Sequence, residues 1–324
     1  MIANRRFAIF AWGVLAYNIL VILWGAFVRA TGSGAGCGSH WPLCNGEVVP
    51  RAPGVETIVE FAHRVTSGVS LILVLALIIW GWRLYSAGSP VRKALVASGV
   101  FIIIEALIGA WLVLAGLTAE NDSIARAVSM ALHLVNTFLL LAALALVAWW
   151  ASGGEPIRLR GQGAHGQDLL VAGWLLALFA TIIVGMSGAV TALGDTLFPS
   201  ESLLEGFRDD FSPTAHILVR ARVLHPAIAV ASAVFAVLLG RLIAAKRPDP
   251  RTQNFSTIQI SLFVVQVFVG ALNVALLAPV WMQLVHLGLA VAVWLSLIFL
   301  GASAFAEREA AVKPEAALAG RAAR

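Results

Sequence analysis

Apolar residues run along this chain in long unbroken stretches, not in the alternating or every-third-and-fourth pattern of elements that lie half in water. A hydrocarbon core about 30 Å thick takes roughly 20 apolar helical residues to cross. Eight stretches reach that length, near 7–29, 58–83, 93–117, 124–150, 168–193, 215–243, 254–277 and 280–304. Turn-forming and polar runs separate them: Gly32–Gly38, Gly88-Ser89-Pro90, Glu120-Asn121-Asp122, Gly153–Gly166, an acidic stretch over 194–214, and Lys246–Arg251 with its two prolines. The pattern predicts an all-α integral membrane protein with eight transmembrane helices.

Composition agrees, with 60% hydrophobic and 12% charged residues. Basic residues gather in alternate loops: Arg5 and Arg6 before the first span, Arg83, Arg92 and Lys93 after the second, Arg158 and Arg160 after the fourth, and Arg241, Lys246, Arg247 and Arg251 after the sixth. Arg308, Lys313, Arg321 and Arg324 follow the eighth. The remaining loops are poorer in base or carry compensating acid, as in Glu201, Glu205, Asp209 and Asp210 against Arg208. Cytoplasmic loops collect positive charge, so both termini are expected in the cytoplasm. The same rule accounts for the net charge of +5 without a nucleic-acid partner. The first span is too long for a signal-peptide core and lacks a convincing cleavage site, and no Arg- and Ser-rich transit peptide precedes it. A bacterial plasma membrane is the expected home.

An internal repeat emerges when 1–150 is laid on 165–305. The third span reads Glu105-Ala106-Leu107-Ile108-Gly109-Ala110 and the seventh Gln266-Val267-Phe268-Val269-Gly270-Ala271. The first and fifth spans end in the similar runs Trp24-Gly25-Ala26-Phe27-Val28 and Gly185-Met186-Ser187-Gly188-Ala189-Val190. Two tandem four-helix bundles are expected, 1–152 and 168–306, joined by a linker over 153–167 and followed by a tail over 307–324. Four spans per unit is an even number, so both enter the membrane alike and the pseudo-two-fold runs along the membrane normal.

Histidines mark the repeat: His63 and His133 in spans two and four, His225 and His286 in spans six and eight. Titratable rings are expensive in lipid without a partner. Each lies about six to eleven residues from the outer end of its span, roughly 9 to 16 Å deep, so the four share one layer. Two rings from alternate helices of a bundle suit axial ligation of a haem, once per unit; a lone intramembrane histidine could instead bond a neighbouring helix. Glu60 stands one helical turn before His63, whereas Arg222 holds the matching place before His225. A carboxylate beside only one pair suggests chemistry there and electron supply from the other, its bland alternative being a salt bridge to Arg64 or Arg29. Arg29, Arg64, Arg220 and Arg222 sit where they could meet porphyrin propionates or reach lipid headgroups. The two cysteines, Cys37 and Cys44, fall in the first external loop, where a disulfide is chemically permitted and could be a clamp or a redox pair.

Together these residues resemble the haem A synthases. The resemblance covers essentially the whole chain: Glu60-Phe61-Ala62-His63-Arg64, His133 in Ala-Leu-His-Leu-Val-Asn, His225 in Arg-Val-Leu-His-Pro, His286 in Leu-Val-His-Leu-Gly, the Cys37 to Cys44 run with Trp41-Pro42-Leu43, and Gly194-Asp195-Thr196-Leu197-Phe198-Pro199 after the fifth span. The cysteines match the cysteine-bearing bacterial branch. The resemblance implies oxidation of the C8 methyl of haem O to the formyl of haem A, for terminal oxidases, by two hydroxylations and loss of water. It implies that His63 and His133 hold the substrate, that Glu60 is essential, and that His225 and His286 ligate the iron of a haem B cofactor that passes electrons. A complex with the haem O-forming enzyme and the identity of the electron donor stay open. The alternatives are a di-haem electron carrier of cytochrome b type, which would not need an acid in only one unit, and a non-catalytic haem-handling protein. A transporter with parallel repeats would place its polar groups at the midplane.

Overall fold

A computed structural model describes residues 4–159 and 165–306. The expected tail, with Arg308, Lys313, Arg321 and Arg324, lies outside the described residues, as do Arg160 and the middle of the linker. Among the described residues eight helices are long and apolar enough to cross a membrane. They are α1 (Arg5–Ala30), α2 (Val55–Leu84), α3 (Pro90–Leu114), α4 (Ile124–Ala151), α5 (His165–Leu197), the sixth span ending in α8 (Leu224–Lys246), α9 (Pro250–Ala275) and α10 (Val280–Ala304).

Local chemistry sets the ends. Asn4, Ser89, Ser123 and Asp249 each accept a backbone N–H three residues on, and proline follows Ser89 and Asp249 at the first helical position, where its missing donor costs nothing. Helix α1 stops at Thr31, after which Gly32 takes φ +69° and turns the chain out.

Three features depart from the sequence expectation. The sixth span is not one helix: α7 (Ile217–Arg220) and a 3₁₀ turn over Ala221–Val223 precede α8. Pro226 can neither donate to the Arg222 carbonyl nor pack under it, so the ladder breaks one turn upstream. Gly194-Asp195-Thr196-Leu197 forms the last turn of α5 instead of following the span; the helix ends ahead of Pro199, which disfavours helical geometry in the residue before it. The acidic stretch also contains an unforeseen helix, α6 (Leu203–Asp210), capped by Ser202, whose side chain accepts the Glu205 N–H.

Each half closes into a ring of four helices. In the first, α1 packs on α2, α2 on α3, α3 on α4 and α4 back on α1; in the second, α5, α8, α9 and α10 repeat the order. The halves meet where α4 and α1 face α5 and α10. Trp294 lies at that seam, its ring stacked on Phe138 at 5.1 Å between centroids, its indole N–H donating to the Phe138 carbonyl at 2.7 Å. Leu20, Ile72, Leu107, Leu169 and Phe268 point outward and are well exposed, as lipid-facing side chains should be. Lipid is as apolar as leucine, so close packing and interhelical hydrogen bonds hold the rings together.

Candidate functional site

The loop between α1 and α2 folds back onto the first turns of α2. Cys37 and Cys44 are joined in a disulfide, and both are buried. One face of α2 takes the loop: the Thr57 hydroxyl donates to the Gly36 carbonyl at 2.8 Å, Glu60 Oε2 accepts the Cys37 N–H at 2.7 Å, and Arg64 donates to the carbonyls of His40 at 2.5 Å and Leu43 at 2.6 Å. Arg64 also pairs with Glu60 Oε1. The spacing 57, 60, 64 is one helical stripe, so the glutamate expected beside His63 is at once a loop anchor. Its side chain is only 5% exposed.

The histidine rings sit over glycines. A Cβ on Gly25 would lie 2.8 Å from His63 Cε1, on Gly188 2.9 Å from His225 Cε1, and on Gly270 3.0 Å from His286 Cε1. Gly25 and Gly188 occupy matching places in the repeat, and no larger residue would leave room for the rings. At Gly109, the counterpart of Gly270, an added Cβ would meet nothing within 4 Å; His133 is placed instead with Nδ1 3.3 Å from Glu105 Oε1. The rings of His225 and His286 face each other at 6.3 Å between centroids, nearly perpendicular.

Polar neighbours of the four rings differ. His225 Nδ1 lies 3.0 Å from the Ser187 hydroxyl, and a ring nitrogen of His286 lies 3.3 Å from Gln266 Nε2. Nδ1 of His63, of His133 and of His286 is buried with no hydrogen-bond partner among the described residues, although that of His133 lies 3.3 Å from Glu105 Oε1. Unmet nitrogens at membrane depth are costly and mark rings held for something else. Among the described residues no three His, Cys, Asp or Glu converge on a metal-ion site. A pair of imidazoles supplies only two ligands, so an iron held here needs its others from the ligand itself, as a porphyrin provides. Cradle, pairing and unmet nitrogens therefore fit a haem.

The four arginines are placed differently from one another. Arg29 crosses the seam, donating to the Ala192 carbonyl at 2.6 Å, Thr196 Oγ1 at 2.8 Å and Gln283 Oε1 at 2.7 Å. Arg222 pairs with Asp195 at 3.2 Å and Asp210 at 3.4 Å. Burial raises the Asp210 carboxyl above the ordinary value even beside that guanidinium. Arg64 holds Glu60 and the disulfide loop, and Arg220 is exposed. Sequence reasoning singled out neither Glu105 nor its partners Asn136 and Thr137 as site residues. A lone carboxylate inside the third span was the available signal.

Comparison with known proteins adds an independent finding. A family model described as COX15-CtaA, cytochrome oxidase assembly protein, matches residues 8–298. A protein of Thermus thermophilus named Protoheme IX farnesyltransferase is 55% identical over 285 residues, 88% of this chain but 46% of that protein. A Heme A synthase of Halalkalibacterium halodurans is 34% identical over 197 residues, 59% of this chain and 63% of its own. One of Bacillus cereus is 48% identical over 92 residues, 28% and 30% respectively. The chain thus spans about half the length of the first of these relatives and less than two thirds of the others.

Proposed function

Because this chain belongs to the COX15-CtaA family of cytochrome oxidase assembly proteins, we propose that it is a haem A synthase, oxidising the C8 methyl of haem O to a formyl group. The observation that carries this is the buried carboxylate of Glu60, one turn from His63 and bound to Arg64 and the Cys37 N–H, with a base, Arg222, at the matching place of the other half.

In this reading His63 and His133 hold haem O as substrate, and His225 and His286 hold a haem B, which when bound supplies electron transfer. The protein contributes binding, orientation and charge. Glycine cradles fix where the imidazoles stand. Glu60 accepts or returns a proton at its carboxylate oxygens, and the disulfide loop pinned to it excludes water on that side. Arg29, Arg64, Arg220 and Arg222 are the propionate partners; a guanidinium has five N–H donors, so those already bonded within the protein keep donors to spare. The disulfide end faces the outside of a bacterial plasma membrane and both termini face the cytoplasm. Relatives aligned over part of their length are named Heme A synthase, and the name of the Thermus relative, a protohaem farnesyltransferase, fits a neighbouring step that supplies the farnesylated substrate. A haem O-forming enzyme is accordingly the partner proposed, with an electron donor besides.

The test is chromatography of haems extracted from cells making this protein with a haem O source, for the intact chain and Glu60→Ala. Haem A with the intact chain, and its loss in the variant despite retained bound haem, is the expected result. Haem B and haem O alone, with a bis-histidine spectrum in the purified intact protein, would overturn the synthase reading in favour of an electron carrier or haem-handling protein.

A further inference from the structure

Glu105 is a carboxylate in the middle of α3, a place where an unpaired acid costs several kcal/mol. Its oxygens are fully engaged. Oε1 accepts the Thr137 hydroxyl at 2.5 Å and lies 3.3 Å from His133 Nδ1, while Oε2 accepts the Asn136 amide at 2.5 Å. Asn136 and Thr137 are three and four residues beyond His133, on the same face of α4. Three neighbouring groups of one helix thus converge on a single carboxylate of the next, and one of them is the ring of a candidate iron ligand. A residue that only tied α3 to α4 would need neither the ring nor the charge, because Asn136 also donates to the Phe101 carbonyl at 2.9 Å.

The other half supplies the comparison. Four residues before Gly270, as Glu105 is four before Gly109, stands Gln266. Its amide lies 3.3 Å from Nε2 of His286, the opposite ring edge to the Nδ1 that Glu105 approaches in His133, and donates to the His286 carbonyl at 3.2 Å. The two side chains have the same length and approach the corresponding histidine; one carries a negative charge and the other none.

We propose that Glu105 is the positioning residue of the first histidine pair, setting its carboxylate 3.3 Å from Nδ1 of His133 and so placing beside that ring an anionic charge that Gln266, whose amide meets the Nε2 edge of His286, withholds from the second pair. A carboxylate behind a ligating imidazole fixes its tautomer and raises its basicity, which favours the more oxidised iron. The haem of the first pair is then harder to reduce than the same scaffold with an amide would make it. This deepens the haem A synthase reading and rests on it.

The experiment is a spectroscopic redox titration of the purified, haem-loaded protein, comparing the intact chain with Glu105→Gln and Gln266→Glu. Glu105→Gln is expected to shift one of two haem components about tenfold toward the reduced form, which is about 59 mV upward for one electron. Gln266→Glu is expected to shift the other component downward by a similar factor. Glu105→Asp should recover part of the first shift. Unchanged potentials in both exchanges, or both exchanges moving the same component, would overturn the proposal while leaving the haem reading standing. Should Glu105→Gln fail to fold, Gln266→Glu decides alone: a downward shift supports the proposal and no shift refutes it. An intact chain that binds no haem would overturn the underlying reading, and this inference with it.

Discussion

The glycine cradles permit a perturbation whose size can be worked from the structure. An alanine methyl at 188 would stand 2.9 Å from His225 Cε1, against an optimal carbon–carbon separation of about 3.5–4.0 Å. The ring must retreat by about 0.6 Å to reach even the short end of that range. A ligand constellation tolerates about 0.5 Å, and an off-rotamer swing of the imidazole adds roughly 0.5–1.5 kcal/mol. Retention of the haem proposed at His225 and His286 should therefore fall at least tenfold. Helix stability moves the other way, since alanine is favoured over glycine in a helix interior by about 1 kcal/mol, so a lost haem would not reflect a lost fold. Gly109→Ala is the internal control, because its methyl meets nothing within 4 Å. The assay is haem-to-protein ratio and absorption spectrum of each purified variant, beside its thermal midpoint. Gly188→Ala with full haem and an unaltered bis-histidine spectrum would refute the reasoning, as would Gly109→Ala losing haem to the same degree.

Two further outcomes concern stability. The Tyr85 hydroxyl is buried against Phe7 with no hydrogen-bond partner among the described residues, so Tyr85→Phe should raise stability by about 1 kcal/mol, read as a higher midpoint in detergent; a lower one would reveal a partner for the hydroxyl. Trp294→Ala removes both the stacking on Phe138 and the indole hydrogen bond across the seam and should cost about 3–5 kcal/mol. A loss below about 1 kcal/mol would mean that the halves are held elsewhere.

Long apolar runs made the eight spans legible in the sequence, because a bilayer imposes length and hydropathy on every crossing segment. What happens inside a span is set by single residues, and there the reading was coarser. Pro226 lies within an unbroken apolar run, yet its missing donor breaks the ladder near Arg222. Ser202 three before Glu205 is a helix-start signal, masked by the acidity that dominates 194–214. The proximity of Glu60 to His63 followed from a three-residue offset; the clamp of Cys37, His40 and Leu43 on the same helix face depends on how the loop folds back, which spacing does not encode. Glu105 and Gln266 were recognised as equivalent positions of the repeat. Their approach to His133 and His286 is a contact between neighbouring helices, and a repeat seen in one dimension does not show it.

The two halves keep in common what is steric and differ in what is electrostatic. Gly25 and Gly188 make the same room for His63 and His225, because an imidazole of fixed size must stand at a fixed place in both. Around that shared frame Trp24 is replaced by Ser187, Glu60 by Arg222 and Glu105 by Gln266. Two carboxylates of the second half, Asp195 and Asp210, are bound to Arg222, while the groups that reach its histidines are a neutral hydroxyl and a neutral amide. In the proposed reading, a haem in such surroundings would have its ligands oriented without a charge at the ring, which suits repeated electron passage with little reorganisation. The first half sets Glu105 against one ring and Glu60 one turn from the other, and adds a loop that closes over the second of these acids. Charge that holds an oxidised iron and a carboxylate able to handle protons are what oxidation of a ligand demands. An electron carrier needs neither, so in the proposed reading the division of labour lies in substitutions among polar neighbours, on a scaffold whose repeated glycines say only where the imidazoles must be.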